Sequence, residues 1–206
     1  MTRNTRLPRT RPAAGPARAP QQVRIIGGAW RRTPIPVGDA PGLRPSPDRV
    51  RETLFNWLAH LRPDTHALRG LDLFAGTGAL GFELASRGAA RVVLVERQPQ
   101  LLQRLRALQA RLAADRVEIV AGDALAVAAA LPRASFDVVF VDPPFGGGLL
   151  WPAIEAACPL LAAGGLIYAE SDAQIAPAGA SAYGLELVRS ARAGHVCFHL
   201  LQPRIA

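Results

Sequence analysis

Four consecutive residues, Asp142-Pro143-Pro144-Phe145, carry the most specific chemical signal in the sequence. The two prolines fix the backbone and remove two N–H donors, so the groups left to face a ligand are the Asp142 carboxylate and the Pro143 carbonyl. Two such acceptors can hold both hydrogens of an exocyclic amine and turn its lone pair toward an electrophile. Phe145 adds a flat apolar face for a nucleobase that has left its stack. The alternative interpretation is a proline-rich turn.

A glycine loop precedes this motif in the chain. It reads Phe74-Ala75-Gly76-Thr77-Gly78, and with Gly81 it satisfies the pattern G-x-G-x-x-G. The loop follows an apolar run and opens a predicted helix, where glycines let the backbone approach a ligand and the helix N-terminus attracts anionic groups. Three interpretations share this pattern: a tight turn, a dinucleotide site and an S-adenosylmethionine site.

Three acidic residues near the loop favour a site for an adenosine. Glu96 ends the second predicted strand of this region, where a carboxylate can accept from ribose hydroxyls, and Asp72 lies in the first strand and suits an ammonium group. Asp123 follows the third strand, where it suits the adenine amino group. Each acid alone is equally compatible with a solvated strand end. The predicted cofactor-binding residues are Asp72, Phe74, Gly76, Gly78, Glu96 and Asp123.

Apolar runs and helical stretches alternate from Gly70 onward, and they must position these residues. Predicted strands are residues 71–74, 91–95, 117–120, 136–141 and 166–169. Predicted helices are residues 79–87, 99–113, 124–131 and 150–161. This alternation predicts an α/β domain with a parallel sheet covered on both faces. Residues 185–190 and 195–202 predict a closing antiparallel pair.

The front of the chain has a different charge. Residues 1–69 hold 13 arginines against four acids, whereas residues 70–206 hold 11 arginines against 12 acids. The excess predicts a polyanionic partner, either nucleic acid or an anionic lipid. Residues 1–22 are predicted to be a disordered basic tail, residues 23–69 a hairpin and helix extension, and residues 70–206 the main domain.

The extension supplies the candidates for contact with a polyanion. Ser46-Pro47-Asp48 predicts a helix start with Ser46 as N-cap, and the apolar spacing that follows leaves Arg49 and Arg51 off the buried face. Guanidinium groups suit phosphate oxygens, and an indole can stack on a base. The predicted RNA-binding residues are Arg24, Trp30, Arg31, Arg32, Arg44, Arg49 and Arg51. The alternatives are a structural Trp30 that covers the hairpin and a solvated helix face that carries both Arg49 and Arg51.

Several classes of protein are disfavoured by composition. The two cysteines lack the spacing of a zinc site or a disulfide scaffold, and His195 and His199 lack acidic or cysteine partners, so no metal is expected. The apolar runs are too short to span a membrane, and the N-terminus lacks the apolar segment of a secretory signal. A cytoplasmic protein is therefore expected.

The order of motifs resembles the amino-methyltransferase group of S-adenosylmethionine-dependent enzymes. Two front segments, residues 24–32 (RIIGGAWRR) and 43–58 (LRPSPDRVRETLFNWL), are similar to the bacterial 16S ribosomal RNA guanine-N2 methyltransferases of the RsmD type. The resemblance covers residues 23–172. It implies a Rossmann-like class I methyltransferase fold, with a mostly parallel seven-stranded sheet and an antiparallel C-terminal strand.

The resemblance also implies a chemistry. The cofactor would be S-adenosylmethionine, and the acceptor would be the N2 amine of a guanine in 16S ribosomal RNA or a small-subunit assembly particle. The base would lie against Phe145, the catalytic residues would be Asp142, Pro143, Pro144 and Phe145, and the enzyme would act as a monomer. In this group the segment before the glycine loop often borders the methionine end of the cofactor, so the alternative to RNA contact is that one of Arg44, Arg49 and Arg51 binds the cofactor's carboxylate. A DNA amino-methyltransferase, an NAD-dependent oxidoreductase and a non-catalytic RNA-binding module are the alternative functions.

Overall fold

A seven-stranded sheet forms the centre of the molecule. The computed structural model describes residues 22–37, 46–144 and 146–204, so the predicted tail up to residue 21, Arg44 and Phe145 lie outside the described residues. The strands of the sheet are β3 (Arg69–Asp72), β4 (Arg91–Glu96), β5 (Val117–Ala121), β6 (Phe136–Val141), β7 (Leu161–Ser171), β8 (Leu185–Ala193) and β9 (Val196–Pro203). Their spatial order is β5-β4-β3-β6-β7-β9-β8. Strands β3 to β7 pair in parallel, and β9 runs antiparallel to both of its neighbours. The predicted sheet is confirmed.

Helices cover both faces of the sheet, as its apolar strands require. They are α1 (Asp48–Leu61), α2 (Ala79–Ser86), α3 (Pro99–Leu112), α4 (Ala124–Ala130), α5 (Leu150–Ala157) and α6 (Pro177–Ala182). One apolar core joins one face of the sheet to α1, α2 and α3, and a second core joins the opposite face to α4, α5 and α6. No helix in the described part of the chain combines the length and apolar character that crossing a membrane requires.

The front extension packs on the same face as α1. Its short hairpin, β1 (Gln22–Arg24) with β2 (Pro34–Pro36), contributes buried apolar side chains to the first core. The buried Glu83 carboxylate accepts from the backbone N–H groups of Ile26, at 2.6 Å, and Gly27, at 2.8 Å. Gly28 has a φ of +74°, and a Cβ there would lie 1.9 Å from the Ser86 carbonyl oxygen. Only glycine permits this close approach to α2.

The start of α1 differs from the prediction. Helix α1 begins at Asp48 after Pro47, and no side chain caps it. Ser46 is not the N-cap, because its hydroxyl instead contacts the carboxylates of Glu170 and Asp142 at the end of the sheet. Both acids are far from Ser46 in the sequence, so the residues around Ser46 alone do not predict these contacts.

The position of Arg51 departs further from the prediction. The residue lies inside the protein with 0% of its surface exposed. Its guanidinium donates to Asp48 Oδ1 at 2.7 Å, to the Arg24 carbonyl at 2.9 Å and to the Ser46 carbonyl at 3.3 Å. Its Nη1 lies 3.8 Å from the buried Glu83 carboxylate. The prediction that Arg51 lies on a solvated face and contacts RNA is therefore wrong. Buried charges need such partners, and Arg51 connects the hairpin, the start of α1 and α2.

Candidate active site

A cleft of about 490 Å³ opens at the carboxyl ends of the parallel strands. It lies beside β3, where the strand order reverses, and open α/β sheets bind ligands at such a switch point. Most of the predicted site residues that the structure describes line it. They are Phe74, Gly76, Glu96, Asp123, Asp142, Pro143 and Pro144, with Arg49 from the extension. Asp72 and Gly78 lie directly behind this lining, in β3 and at the start of α2.

The glycine loop is held by Glu96 at the end of β4. The Glu96 Oε2 atom accepts from the Gly76 N–H at 2.9 Å, and Oε1 accepts from the N–H groups of Arg97 and Gln98, both at 2.8 Å. A carboxylate offers about four acceptor positions, so Oε2 retains one for a hydroxyl in the cleft. Gly76 and Gly78 have φ values of +54° and +79°, which favour glycine.

Gly81, the third glycine of the motif, has a packing role. A Cβ at Gly81 would lie 2.0 Å from the Leu94 Cδ2 atom, so this glycine brings α2 close to β4. In the G-x-G-x-x-G pattern, Gly76 and Gly78 therefore shape the loop at the cleft, and Gly81 lets α2 pack closely against β4.

Asp72 is a buried acceptor behind the loop. It is 1% exposed, and its Oδ1 accepts no hydrogen bond within the described part of the chain. Burial raises the pKa of Asp72 to about 7; the backbone N–H groups of Gly81 and Phe74 oppose this rise, and the neighbouring Glu96 and Glu170 add to it. A buried carboxylate with one unpaired oxygen fits a ligand that carries an ammonium group.

Asp123 has a structural partner of its own. As the N-cap of α4, its Oδ1 accepts from the N–H groups of Leu125, at 3.0 Å, and Ala126, at 3.3 Å. Its Oδ2 lies 3.9 Å from Arg97 Nη1, and both side chains are exposed. Oδ1 therefore caps the helix, while Oδ2 accepts no hydrogen bond among the described residues, and Asp123 itself lines the cleft.

Asp142 follows β6 at the other half of the cleft. Burial and the nearby carboxylates of Glu170 and Asp72 raise the pKa of Asp142 well above its usual value, and the Ser46 hydroxyl, 3.4 Å from Oδ2, opposes that rise. Pro143 is buried and Pro144 exposed, and both line the cleft without N–H groups to offer. This half of the cleft is therefore rich in acceptors and poor in donors.

Sequence reasoning did not identify Glu170 at the end of β7. It is 3% exposed and lines the cleft beside Asp142. Ser46 Oγ and Tyr168 Oη both donate to Glu170 Oε1, the latter at 2.7 Å. A signal existed, because Glu170 follows an apolar strand in the same way that Glu96, Asp123 and Asp142 follow theirs.

The turn between β8 and β9 also lines the cleft, which the sequence did not indicate. Gly194 and His195 form part of the cleft wall, close to the exposed Arg49 on α1. His199, four residues later, is buried and accepts from the Ile175 N–H at 3.1 Å, so the two histidines serve different environments. No group of metal-ligating side chains occurs among the described residues.

The remaining candidates on the extension differ in exposure. Arg31 and Arg32 are exposed, and Arg24 pairs with Asp48 at 3.0 Å while staying largely open to solvent. Trp30 is half-buried and meets Phe82 edge to face, with 6.5 Å between ring centres. The contact favours the alternative in which Trp30 covers the hairpin, although part of the indole still faces solvent.

Comparison with known proteins gives consistent matches over most of the chain. The sequence profile of the family described as conserved hypothetical protein 95 matches residues 23–202. Ribosomal RNA small subunit methyltransferase D of Escherichia coli K12 is 43% identical over 187 residues, which is 88% of this chain and 90% of that protein. The protein of the same name from Haemophilus influenzae is 40% identical over 158 residues, or 73% of this chain and 79% of that protein.

Solved structures also superpose on most of this chain. The yhhF protein of Escherichia coli superposes with a TM-score of 0.76 at 42% identity, over 90% of this chain and 99% of that chain. The precorrin-6y C5,15-methyltransferase of Geobacter metallireducens has a TM-score of 0.62 at 19% identity, over 82% of this chain and 94% of that chain. This distant likeness concerns the fold alone, which is a Rossmann-like methyltransferase fold.

Proposed function

Since the chain belongs to the family described as conserved hypothetical protein 95, we propose that it methylates small-subunit ribosomal RNA, at the exocyclic N2 of a guanine. The observation that carries the chemistry is the acceptor-rich half of the cleft, formed by Asp142, Pro143 and Glu170. The relatives named ribosomal RNA small subunit methyltransferase D support ribosomal RNA as the substrate.

The other half of the cleft fits S-adenosylmethionine. Glu96 would receive the ribose hydroxyls, the Gly76–Gly78 loop would border the nucleoside, and the unpaired Asp72 Oδ1 would attract the ammonium group. When bound, this cofactor supplies an electrophilic methyl group on a sulfonium. Asp123, which lines the cleft after β5, would accept from the adenine amino group.

Asp142 and the Pro143 carbonyl would position the acceptor amine. They hold its two hydrogens, so that the nitrogen lone pair points toward the methyl carbon. As the N–C bond forms, the bond from the methyl carbon to sulfur breaks with its electrons going to sulfur, and the ionised Asp142 would stabilise the positive charge on the nitrogen and accept the proton that the methylated amine releases. Phe145 would stack on the extruded base, while Pro144 keeps the backbone of the motif rigid. No covalent enzyme intermediate is needed.

The exposed arginines of the extension would hold the RNA backbone. Arg24, Arg31 and Arg32 present guanidinium groups on the hairpin, and Arg44 belongs to the same basic segment. Arg49 lies at the cleft itself, where it serves either a phosphate of the RNA or the carboxylate of the cofactor. Trp30 offers its remaining exposed edge to a ribose or base. A ribosomal substrate in turn implies a cytoplasmic enzyme.

The test is methyl transfer with labelled S-adenosylmethionine to small subunits, and to 16S RNA, from cells that lack this enzyme. Digestion to nucleosides should place the label in N2-methylguanosine, and the Asp172→Asn variant, which alters an exposed acid two residues beyond Glu170, should match the wild type. Label in N6-methyladenosine, or transfer to duplex DNA alone, would contradict the proposal. Thermal stabilisation by NAD rather than by S-adenosylmethionine would indicate an oxidoreductase instead.

A further inference from the structure

Glu170 is a buried carboxylate beside the half-buried Asp142. The register of β6 and β7 pairs Val141 with Ala169, so the next residues, Asp142 and Glu170, leave adjacent strands side by side. Both side chains lie on the face of the sheet that α1 covers. Glu170 is 3% exposed, yet it belongs to the wall of the cleft. A buried acid at this place needs a donor.

The two oxygens of Glu170 are not equivalent. The hydroxyls of Ser46 and Tyr168 both donate to Oε1. Among the described residues, neither hydrogen bond to Glu170 goes to Oε2. Because the two hydroxyls fix the carboxylate through one oxygen, the other is oriented and left as a free acceptor.

The charges around Glu170 act on this acceptor from three elements. Asp142 and Asp72 face it from β6 and β3, and Arg51 lies in the same layer from α1. Burial raises the pKa of Glu170, whereas the Ser46 and Tyr168 hydroxyls and the Arg51 charge oppose that rise. The Arg51 guanidinium donates to the Ser46 and Arg24 carbonyls and to Asp48. It therefore favours the ionised form without occupying Oε2.

We propose that Glu170 selects guanine, by accepting the N1–H of the base through Oε2 while Asp142 holds the neighbouring N2 amine. This inference rests on the proposed function. The Watson–Crick edge of guanine offers N1–H and N2–H₂ as adjacent donors, which two adjacent carboxylates can receive. Adenine and cytosine place an unprotonated ring nitrogen beside their amine, so the same carboxylate would face a lone pair and be left unpaired. Glu170 is thus a specificity residue that excludes the other amino bases.

The test uses 2-aminopurine, which keeps the 2-amino group but has an unprotonated N1. The guanosine that the wild-type enzyme methylates is replaced by 2-aminopurine in the same RNA or particle, and kcat/KM is measured for both substrates. The wild type should prefer guanine by about 10² or more. Glu170→Gln can donate from its amide to N1, so the preference should shrink at least tenfold or reverse. Asp172→Asn should keep the wild-type preference.

The preference is a ratio within one enzyme preparation, so partial misfolding of a variant does not change it. If Glu170→Gln does not fold, Glu170→Asp carries the same test, because it withdraws the carboxylate by one methylene and should also shrink the preference. An unchanged preference in the folded variants, or a wild type that accepts 2-aminopurine as well as guanine, would overturn the inference. Failure of the proposed function is distinct, because the wild type would then form no N2-methylguanosine at all.

Discussion

The two halves of the cleft hold their carboxylates in different ways. In the half beside β4 and β5, Glu96 accepts from three backbone N–H groups and Asp123 from two. In the half beside β6 and β7, the donors among the described residues are side-chain hydroxyls: Ser46 and Tyr168 donate to Glu170, and Asp142 has a longer contact of 3.4 Å with Ser46. The first half is a preformed loop with fixed charge. The second half places a half-buried and a buried carboxylate side by side with few donors between them, and the hydrogens of a base amine would satisfy them.

This difference sets the order of the expected effects. Where backbone dipoles hold a carboxylate, its removal disturbs the loop and weakens ligand binding. Where buried acids face each other, their removal changes the reaction itself, because the developing positive charge loses its partner. Variants on the two sides should therefore separate cofactor affinity from turnover.

The largest effect is expected at Asp142. Asp142→Ala should lower kcat by about 10³ or more, because the amine loses its charged acceptor, while the Kd for S-adenosylhomocysteine stays within about threefold of the wild type. Calorimetric titration and single-turnover methylation measure the two quantities, with Asp172→Asn as the matched control. Turnover close to wild type would remove Asp142 from the mechanism and abolish the contrast between the halves.

The reverse pattern is expected at Glu96. Glu96→Gln loses the charge and places an NH₂ group against a backbone N–H, so the affinity for S-adenosylhomocysteine should fall about 10- to 100-fold. At saturating cofactor, kcat should stay within a few-fold of the wild type. Glu186→Gln, on the exposed face of β8, serves as the control. If Glu96→Gln loses turnover but not affinity, the assignment of the cofactor half is wrong.

Arg51 tests how the acceptor half is held in place. Arg51→Met removes the cation shared by Glu83 and Asp48 and should lower the free energy of unfolding by about 1–3 kcal/mol, because Glu83 keeps its contact with Arg87 and Asp48 keeps its contact with Arg24. Arg49→Met, two residues earlier and exposed, should change it by about 0.5 kcal/mol or less. Urea denaturation measures both. Equal, small effects would show that the buried guanidinium does not anchor the extension that carries Ser46.

The smallest effect is a shift in the pH profile. Methyl transfer needs ionised Asp142, so kcat should fall at low pH as Asp142 becomes protonated. Because the pKa of Asp142 is raised, this acid limb of the pH profile should lie at a higher pH than for an ordinary carboxyl group. The rate should rise as pH rises through that limb. The Ser46 hydroxyl lowers the pKa of Asp142, so Ser46→Ala should move the acid side of the pH profile to higher pH. A limb that stays in place, or moves to lower pH, would show that Ser46 does not stabilise the ionised carboxylate.

The same contrast explains how far sequence reasoning reaches. The glycine loop and the alternating strands depend on local patterns, so the sheet, its antiparallel closing strand and the burial of the apolar strands follow from sequence. The long strand β7 and the short helix α6 lack such a clear pattern, and the prediction truncated the first and omitted the second.

The acceptor half could be predicted only in part. Asp-Pro-Pro is a local motif, but Glu170 and Ser46 reach Asp142 from positions 28 residues after it and 96 residues before it in the chain. Arg51 shows the same limit: helical spacing places it off the apolar face, yet its guanidinium is buried, where it donates to the distant Arg24 carbonyl and lies 3.8 Å from Glu83 on another helix. Contacts of this kind depend on tertiary packing between distant segments, so local sequence patterns do not predict them.

The most direct test of the central claim is nucleoside analysis of 16S ribosomal RNA from cells that lack this protein. If the cleft binds S-adenosylmethionine beside a guanine amine and transfers the methyl group to it, that RNA should contain less N2-methylguanosine than RNA from wild-type cells. The wild-type gene should restore the modification and the Asp142→Ala gene should not. An unchanged content of N2-methylguanosine, or the loss of a different modification, would contradict the assignment of the acceptor half.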